Sequence, residues 1–489
     1  MLNVLTTQFS NFIDGENQTG GGESYANYNP ATGDIIGEVT SASQTDVDAA
    51  VGAARAALNG PWGRMPVAER VVLLRKLVDG INARFDEFLA AEIRDTGKPR
   101  GIASHIDIPR GAANFDAFAN QVAVTSTETF ETTTPAGGTA LNYSIRRPKG
   151  VIAVIAPWNL PLLLMTWKVA PALACGNTVV VKPSEHTPAT AVLLGEVMNA
   201  VGIPRGVYNV VLGHGRDSAG EFLTQHPDVD AITFTGETRT GEAIMASASK
   251  GVRPVSLELG GKNAGVVFDD ADLDAALEGI GRAAFANTGQ VCLGTERLYV
   301  QRGIYEHFLE GLAKKAKSYR FGDPFAETTT MGPLVSAGHL EKVMGYYQKA
   351  RQAGAEIVAG GSRPNVVGFE SGYWIEPTVW TGLGQDAAIV SDEIFGPCTH
   401  VTPFDHEDEA LAMVNASPYG LATSIWTTDL SRAHRAAAEI DVGIAWVNSW
   451  FLRDLRTPFG GSRKSGIGRE GGVHSLEFYS ELKNICINY

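Results

Sequence analysis

Val151-Ile152-Ala153-Val154-Ile155-Ala156-Pro157-Trp158-Asn159 is an apolar run that stops at a polar amide, and Thr178-Val179-Val180-Val181-Lys182-Pro183-Ser184-Glu185 repeats the pattern downstream. Helix-forming segments, one through Lys168 and one from Pro188 to Val201, separate these runs from each other and from the next, Tyr208 to Leu212; Ala231 to Phe234 follows after a further helical stretch. Short apolar runs alternating with helical stretches predict a parallel sheet with crossover helices. Open sheets of this kind bind ligands at the carboxyl ends of their strands, so the chain reads as an α/β protein with a dinucleotide-binding layout. Gly213-His214-Gly215 is a poor Rossmann fingerprint, because Ser218 stands where the next glycine is expected. Gly236 to Gly241 offers helix N-terminal amides to a phosphate but lacks the Lys-Ser/Thr of a Walker loop.

Outward from this core, a second α/β block runs from about Gly265 to Val447. On the amino-terminal side, helices are expected from about Asp46, from Pro66 towards Gly97, and through Arg110, Phe115 and Phe118. Ala123 to Ile145 is Thr-rich with Gly137-Gly138 at its centre, a polar hairpin that buries little by itself and so suits a subunit contact. The tail after Gly460 reads as a second oligomer-forming strand.

With 489 residues the chain is too long for one hydrophobic core, and two or three domains are expected. A formal charge of −14 disfavours nucleic acid and anionic membrane as partners. The cysteines, Cys175, Cys292, Cys398 and Cys486, lie far apart and form no metal-ligand pair, so neither a metal site nor a disulfide scaffold is expected. Met1 to Glu16 lacks the features of a signal peptide, and Val151 to Ala174 carries Pro157, Asn159, Pro161, Lys168 and Pro171, which no spanning helix would tolerate so densely. A cytoplasmic protein without transmembrane segments is the expectation.

Cys292 lies in Asn287-Thr288-Gly289-Gln290-Val291-Cys292-Leu293-Gly294-Thr295, and Leu257-Glu258-Leu259-Gly260-Gly261-Lys262-Asn263 places one carboxylate in an apolar strand end. Most lone cysteines are small buried hydrophobes, which suits Cys175 and Cys398. The glycines around Cys292 and the buried carboxylate upstream point instead to a nucleophile with Glu258 as its base. No histidine stands nearby to give a Cys/His pair. Asn159 reads equally as an oxyanion donor or as a helix N-cap. Lys182 and Glu185 either hold ribose hydroxyls, with the carboxylate repelling a 2′-phosphate, or form a solvated turn.

Pro157-Trp158-Asn159, Lys182-Pro183-Ser184-Glu185, Phe234-Thr235-Gly236, Leu257 to Lys262, Gly289-Gln290-Val291-Cys292 and Glu393-Ile394-Phe395-Gly396-Pro397 together resemble the aldehyde dehydrogenase superfamily, in order and spacing across nearly the whole chain. The resemblance implies an aldehyde dehydrogenase-like fold: a Rossmann-type NAD-binding domain (1–122 and 146–257), an α/β catalytic domain (258–455) and a small β oligomerisation domain (123–145 and 456–489) of a homodimer or homotetramer. It implies that Cys292 attacks the aldehyde, that Asn159 and the Cys292 amide hold the oxyanion, and that Glu258 activates water against the thioester. Pro157, Trp158, Lys182, Glu185, Gly215, Phe234, Gly236, Leu259, Glu393 and Phe395 are the implied NAD contacts. Many members have serine where this chain has Glu237, whose charge is unfavourable near a pyrophosphate unless it points away.

Gln290 to Arg297 and Asn448 to Gly461 look most like the muconic semialdehyde dehydrogenases of aromatic meta-cleavage pathways. Substrates of that group, 2-hydroxymuconate-6-semialdehyde and its 2-amino counterpart, carry a carboxylate that fixed arginines would grip. Arg110 and Arg453 are the candidates and Arg456 the reserve. The two substrates differ by one small group, which the sequence does not separate. Rival readings are a broad-range aldehyde dehydrogenase, a CoA-acylating dehydrogenase, which would not need Glu258, and a non-catalytic protein on the same fold.

Overall fold

The computed structural model describes residues 7–489. Five parallel strands, β1 (Val151–Ile155), β2 (Thr178–Lys182), β3 (Tyr208–Val210), β4 (Ala231–Gly236) and β5 (Val255–Leu259), lie in the order β5-β4-β1-β2-β3. Every residue of β1 and β2 is buried, as expected of parallel strands covered on both faces by helices. One apolar layer contains Phe115, Phe118, Trp167 and Leu173, and the other contains Val47, Val51, Leu223 and Ile244. The chain builds outward from β1 to β3, then returns to lay β4 and β5 on the other side of β1. That reversal opens a crevice at the carboxyl ends of β1 and β4, where Pro157-Trp158-Asn159 and Gly236-Glu237 emerge.

Antiparallel strands extend both edges: Asn11–Ile13 and Glu16–Gln18 beyond β3, and Gly466–Ile467 beside β5. The second sheet comprises β6 (Asn263–Val267), β7 (Thr295–Gln301), β8 (Glu356–Ala359), β9 (Thr378–Thr381), β10 (Cys398–Phe404), β11 (Ala422–Trp426) and β12 (Ile444–Val447), in the order β8-β9-β10-β7-β6-β11-β12. All its pairings are parallel except that of β8 with β9. A third sheet is formed by Thr129–Thr133, Thr139–Pro148 and Ser480–Asn488.

Two elements differ from the sequence expectation. The helix expected from Pro66 towards Gly97 is two helices, Val67–Ala83 and Phe85–Thr96, because Arg84 leaves helical geometry at φ −111°, ψ 26°. Gly97, at φ 68°, ends the second with a left-handed turn that glycine adopts at least cost. In the tail, only Ser480–Asn488 pairs with the hairpin. Gly466–Ile467 instead completes the first sheet, and the helix Gly472–Tyr479 packs Leu476 and Tyr479 into its core.

Candidate active site

Cys292 follows a turn of unusual backbone geometry. After the helix Leu273–Phe285, Asn287 and Thr288 take φ of 50° and 57°, and Gly289 follows at 70°. Left-handed backbone at non-glycine residues is costly and is retained where surroundings impose it. A Cβ on Gly289 would lie 2.0 Å from the Gly396 carbonyl oxygen, so only glycine lets the two loops approach. Asn263, the first residue of β6, donates from Nδ2 to the carbonyls of Cys292 (2.6 Å) and Gly294 (3.0 Å), which fixes the nucleophile loop on the sheet.

Asn159 is buried facing this loop and donates from Nδ2 to Gln290 O at 3.0 Å. The adjoining helix Pro161–Ala174 has Leu160 as its N-cap and no side-chain cap bond, so Asn159 does not fill the N-cap role. One amide proton remains to donate towards a ligand.

Glu258 sits on β5 with 3% of its surface exposed, and neither carboxylate oxygen has a hydrogen-bond partner. Burial raises its pKa to about 7, opposed by the Lys168 charge and assisted by Glu470. That value suits a general base near neutral pH. Burial and the Glu258 charge push the Cys292 thiol well above its ordinary value, so the resting site holds a thiol. Lys168, fully buried, is paired with Glu470 at 2.6 Å behind this pair. The sequence reading gave Lys168 and Glu470 no role in the site, although a lysine inside the most apolar run of the chain was itself a signal.

Arg110 and Arg453 are the unusual cations. Nε of Arg110 and both Nε and Nη2 of Arg453 are buried without a hydrogen-bond partner. The Arg453 guanidinium lies between aromatic rings, 4.1 Å from the centre of Trp167 and 3.7 Å from that of Phe459. Its pKa is lowered to about 9, first by burial and then by the Arg110 charge, while Glu470, Cys292 and Glu258 oppose the shift. The charges of Arg110, Cys292 and Glu258 thus all act on Arg453, although neither arginine lines the cavity that holds Cys292 and Glu258. Arg456 does not join them: it is a surface residue paired with Asp454 at 2.6 Å.

A cavity of about 940 Å³ runs from Cys292, Glu258 and Asn159 past Trp158, Glu393 and Phe395 to Gly236 and His186. Glu393 Oε1 accepts from Gly261 N at 2.8 Å, and a Cβ on Gly260 would lie 2.1 Å from Glu393 Oε2. Glu296, which the sequence reading passed over, is paired with Lys262 and accepts from Ile394 N and Phe395 N, holding Phe395 at φ 62°. His339 donates from Nε2 to the Phe395 carbonyl at 2.8 Å and packs against Trp158. Pro157 also lines the cavity.

Lys182 donates to Gly213 O at 2.8 Å and stands 3.8 Å from the Glu185 carboxylate, at the carboxyl end of β2. The turn bearing Gly215 follows β3 nearby. Glu237 is half exposed and paired with Arg239 at 3.1 Å, so a cation offsets its charge at the cavity mouth. Phe234 and Leu259 do not line the cavity; their side chains are buried in the apolar layer beneath it. The volume of the cavity and Glu393 within it fit a nicotinamide dinucleotide; Lys182, Glu185 and Gly215 do not line it but lie at or beyond the carboxyl ends of β2 and β3, where Glu185 disfavours a 2′-phosphate.

Residues 17–485 match the aldehyde dehydrogenase family. The chain is 64% identical, over 95% of its length and 96% of the relative's, to a 2-hydroxymuconic semialdehyde dehydrogenase of Pseudomonas sp. (strain CF600). It is 55% identical, over 98% of both chains, to a 2-aminomuconic 6-semialdehyde dehydrogenase of Pseudomonas sp.. Among solved structures, the NAD+ complex of an aldehyde dehydrogenase from Bacillus cereus superposes with a TM-score of 0.95 at 38% identity, covering 99% of this chain and 97% of the other. The fold, the nucleophile loop and these matches agree: the chain belongs to the aldehyde dehydrogenase family and is an oxidoreductase acting on aldehydes.

Proposed function

We propose that the chain oxidises 2-hydroxymuconate-6-semialdehyde, or its 2-amino counterpart, to the corresponding dicarboxylate with NAD as cofactor. The observation that carries this reading is that Arg110 and Arg453, both half-buried, hold guanidinium nitrogens (Nε of the first, Nε and Nη2 of the second) that are buried without a hydrogen-bond partner. A buried guanidinium without a carboxylate is expensive and is best explained by an anionic ligand that supplies one. The relatives named above for these two semialdehydes support the same substrates.

The substrate carboxylate sits on the arginines and the aldehyde faces Cys292. The thiol gives its proton to solvent water as the sulfur bonds to the carbonyl carbon, while the free Asn159 amide proton and the Cys292 amide meet the developing oxyanion. NAD, when bound, supplies the hydride acceptor. Glu258 then takes a proton from water, which attacks the thioester and releases the acid and the thiol. Pro157, Trp158, Gly236, Glu393 and Phe395 form the nicotinamide side of the cofactor site, and Lys182, Glu185 and Gly215 the adenosine side. Phe234 and Leu259 support it from below.

The expected domain limits (1–122 and 146–257, 258–455, 123–145 and 456–489) enter this proposal with one change: Ser480–Asn488 stays with the hairpin sheet as the contact in a homodimer or homotetramer, whereas Gly466–Ile467 and Gly472–Tyr479 go with the first sheet. Phe130, Leu482 and Ile487, exposed on that sheet, support such a contact. The cysteines are all unpaired, which suits a cytoplasmic enzyme, and no described helix is long and apolar enough to cross a membrane. The deciding experiment compares kcat/KM for the two semialdehydes with that for an aliphatic aldehyde of similar length. A preference of at least a hundredfold for the semialdehydes is expected, and equal values would overturn the substrate reading.

A further inference from the structure

Behind Asn159 lies a second group of buried charges that the steps above do not use. Gly97 turns the chain after the helix Phe85–Thr96 and directs Lys98 inward, where it is 2% exposed between two fully buried carboxylates. Its ammonium lies 2.5 Å from Asp107 Oδ2 and 3.5 Å from Glu92 Oε1. Glu92 Oε1 and Asp107 Oδ1 have no hydrogen-bond partner, so the cluster is poorly satisfied if stability is its only purpose. Buried ion groups of this kind rarely add net stability over an apolar core.

Besides its bond to Asp107, the ammonium donates to the backbone carbonyl of Asn159, at 2.9 Å. That carbonyl also accepts from Asn287 Nδ2 at 3.1 Å, in the nucleophile loop. Asn287 Nδ2 and Asn159 Nδ2 both donate to Gln290 O, so the backbone and side chain of Asn159 are tied to the loop carrying Cys292. Glu92 Oε2 accepts from Leu162 N at 3.4 Å, at the start of the helix that follows Asn159.

We propose that Lys98 is a positioning residue of the oxyanion hole: held by Asp107 and Glu92, its ammonium fixes the Asn159 carbonyl and thereby aims the Asn159 amide at the carbon attacked by Cys292. This rests on Asn159 being the oxyanion donor. Lys98 touches neither substrate nor cofactor; its effect passes through one peptide group.

A double-mutant cycle tests it, with Lys98→Met combined with Asp107→Asn; Glu92, whose pKa burial raises to about 8, then stays protonated and no lone charge is left buried. In the otherwise unaltered enzyme this pair lowers kcat at least tenfold and leaves KM for aldehyde and NAD within about twofold. In the Asn159→Ala background the same pair changes kcat by less than twofold, because the group it positions is gone. An equal fold loss in both backgrounds overturns the proposal, as does unchanged kcat in the first. Asp107→Asn alone, which keeps Lys98 but loosens its anchor, must show the same non-additivity if the paired variant does not fold. Asn159→Ala with unaltered kcat would instead remove the oxyanion reading itself, and with it the role of Lys98.

Discussion

The Arg453 guanidinium lies 4.1 Å from the centre of the Trp167 ring, and its Nε and Nη2 bond to no carboxylate. A flat cation stacked on an indole is oriented before any ligand arrives, so little order is lost when a carboxylate binds. Arg453→Met and Arg110→Ala should each raise KM for the semialdehyde roughly ten- to a hundredfold, the worth of a charge-assisted hydrogen bond. A neutral aldehyde should be nearly unaffected, and equal losses on both substrates would exclude a carboxylate clamp. Arg453→Lys should fail to rescue, since an ammonium cannot replace the flat stack.

Glu258 titrates at about 7 in the folded chain, against an ordinary value of 4.5, because it is buried. As the base for thioester hydrolysis it must be ionised, so turnover should fall about tenfold per pH unit below 7. Glu258→Gln should form one equivalent of NADH per site in a rapid burst and then nearly stop. A burst followed by steady turnover at the original rate would remove Glu258 from the hydrolytic step.

The same shift links to stability. A carboxyl whose pKa is raised by folding holds its proton more tightly in the native state, so stability is greatest below pH 4.5 for this group and declines as pH rises to 7. The difference amounts to about 3 kcal/mol at alkaline pH. Glu258→Gln should therefore melt higher than the unaltered enzyme at pH 8 and lose most of that advantage near pH 4.5, as read by calorimetry.

Without cofactor the Cys292 thiol is held well above its ordinary pKa by burial and by Glu258. Iodoacetamide labelling should be slow at pH 8 and should accelerate when NAD is added, as the cofactor's positive ring reaches the sulfur. A labelling profile unchanged by NAD would place the activating charge elsewhere.

Gly260 offers a test of the Glu393 clamp. A methyl group there would meet Glu393 Oε2 at 2.1 Å and push the carboxylate off its bond to Gly261 N. Gly260→Ala should weaken NAD binding at least tenfold, measured by quenching of tryptophan fluorescence, with little change in KM for the aldehyde. Unaltered NAD affinity would show that Glu393 does not hold the cofactor.

Much of the fold was legible because its signals are local. The apolar parts of the two runs that decide the fold are strands, Val151–Ile155 and Thr178–Lys182. Cys292, Glu258 and Asn159 were also legible, since each departs from its surroundings in a short window, and the structure gathers them around one cavity. The break at Arg84 was not, because the apolar period continues across it. Lys98, Glu92 and Asp107 meet only through tertiary packing, and each alone reads as a helix-surface residue. Lys168 and Glu470 are likewise joined across most of the chain. Burial, which turns an ordinary charge into a costly one, has no local sequence mark.

The edge strand Gly466–Ile467 pairs Gly466 with Glu258, and Glu470 just beyond it meets Lys168. During synthesis the ribosome delivers these residues long after β5 and Cys292 have emerged. The base therefore acquires its edge strand and its Glu470 neighbour well after the nucleophile has been made. A nascent chain has its nucleophile early and its hydrolytic half late, so premature termination before residue 466 leaves a product without the finished base.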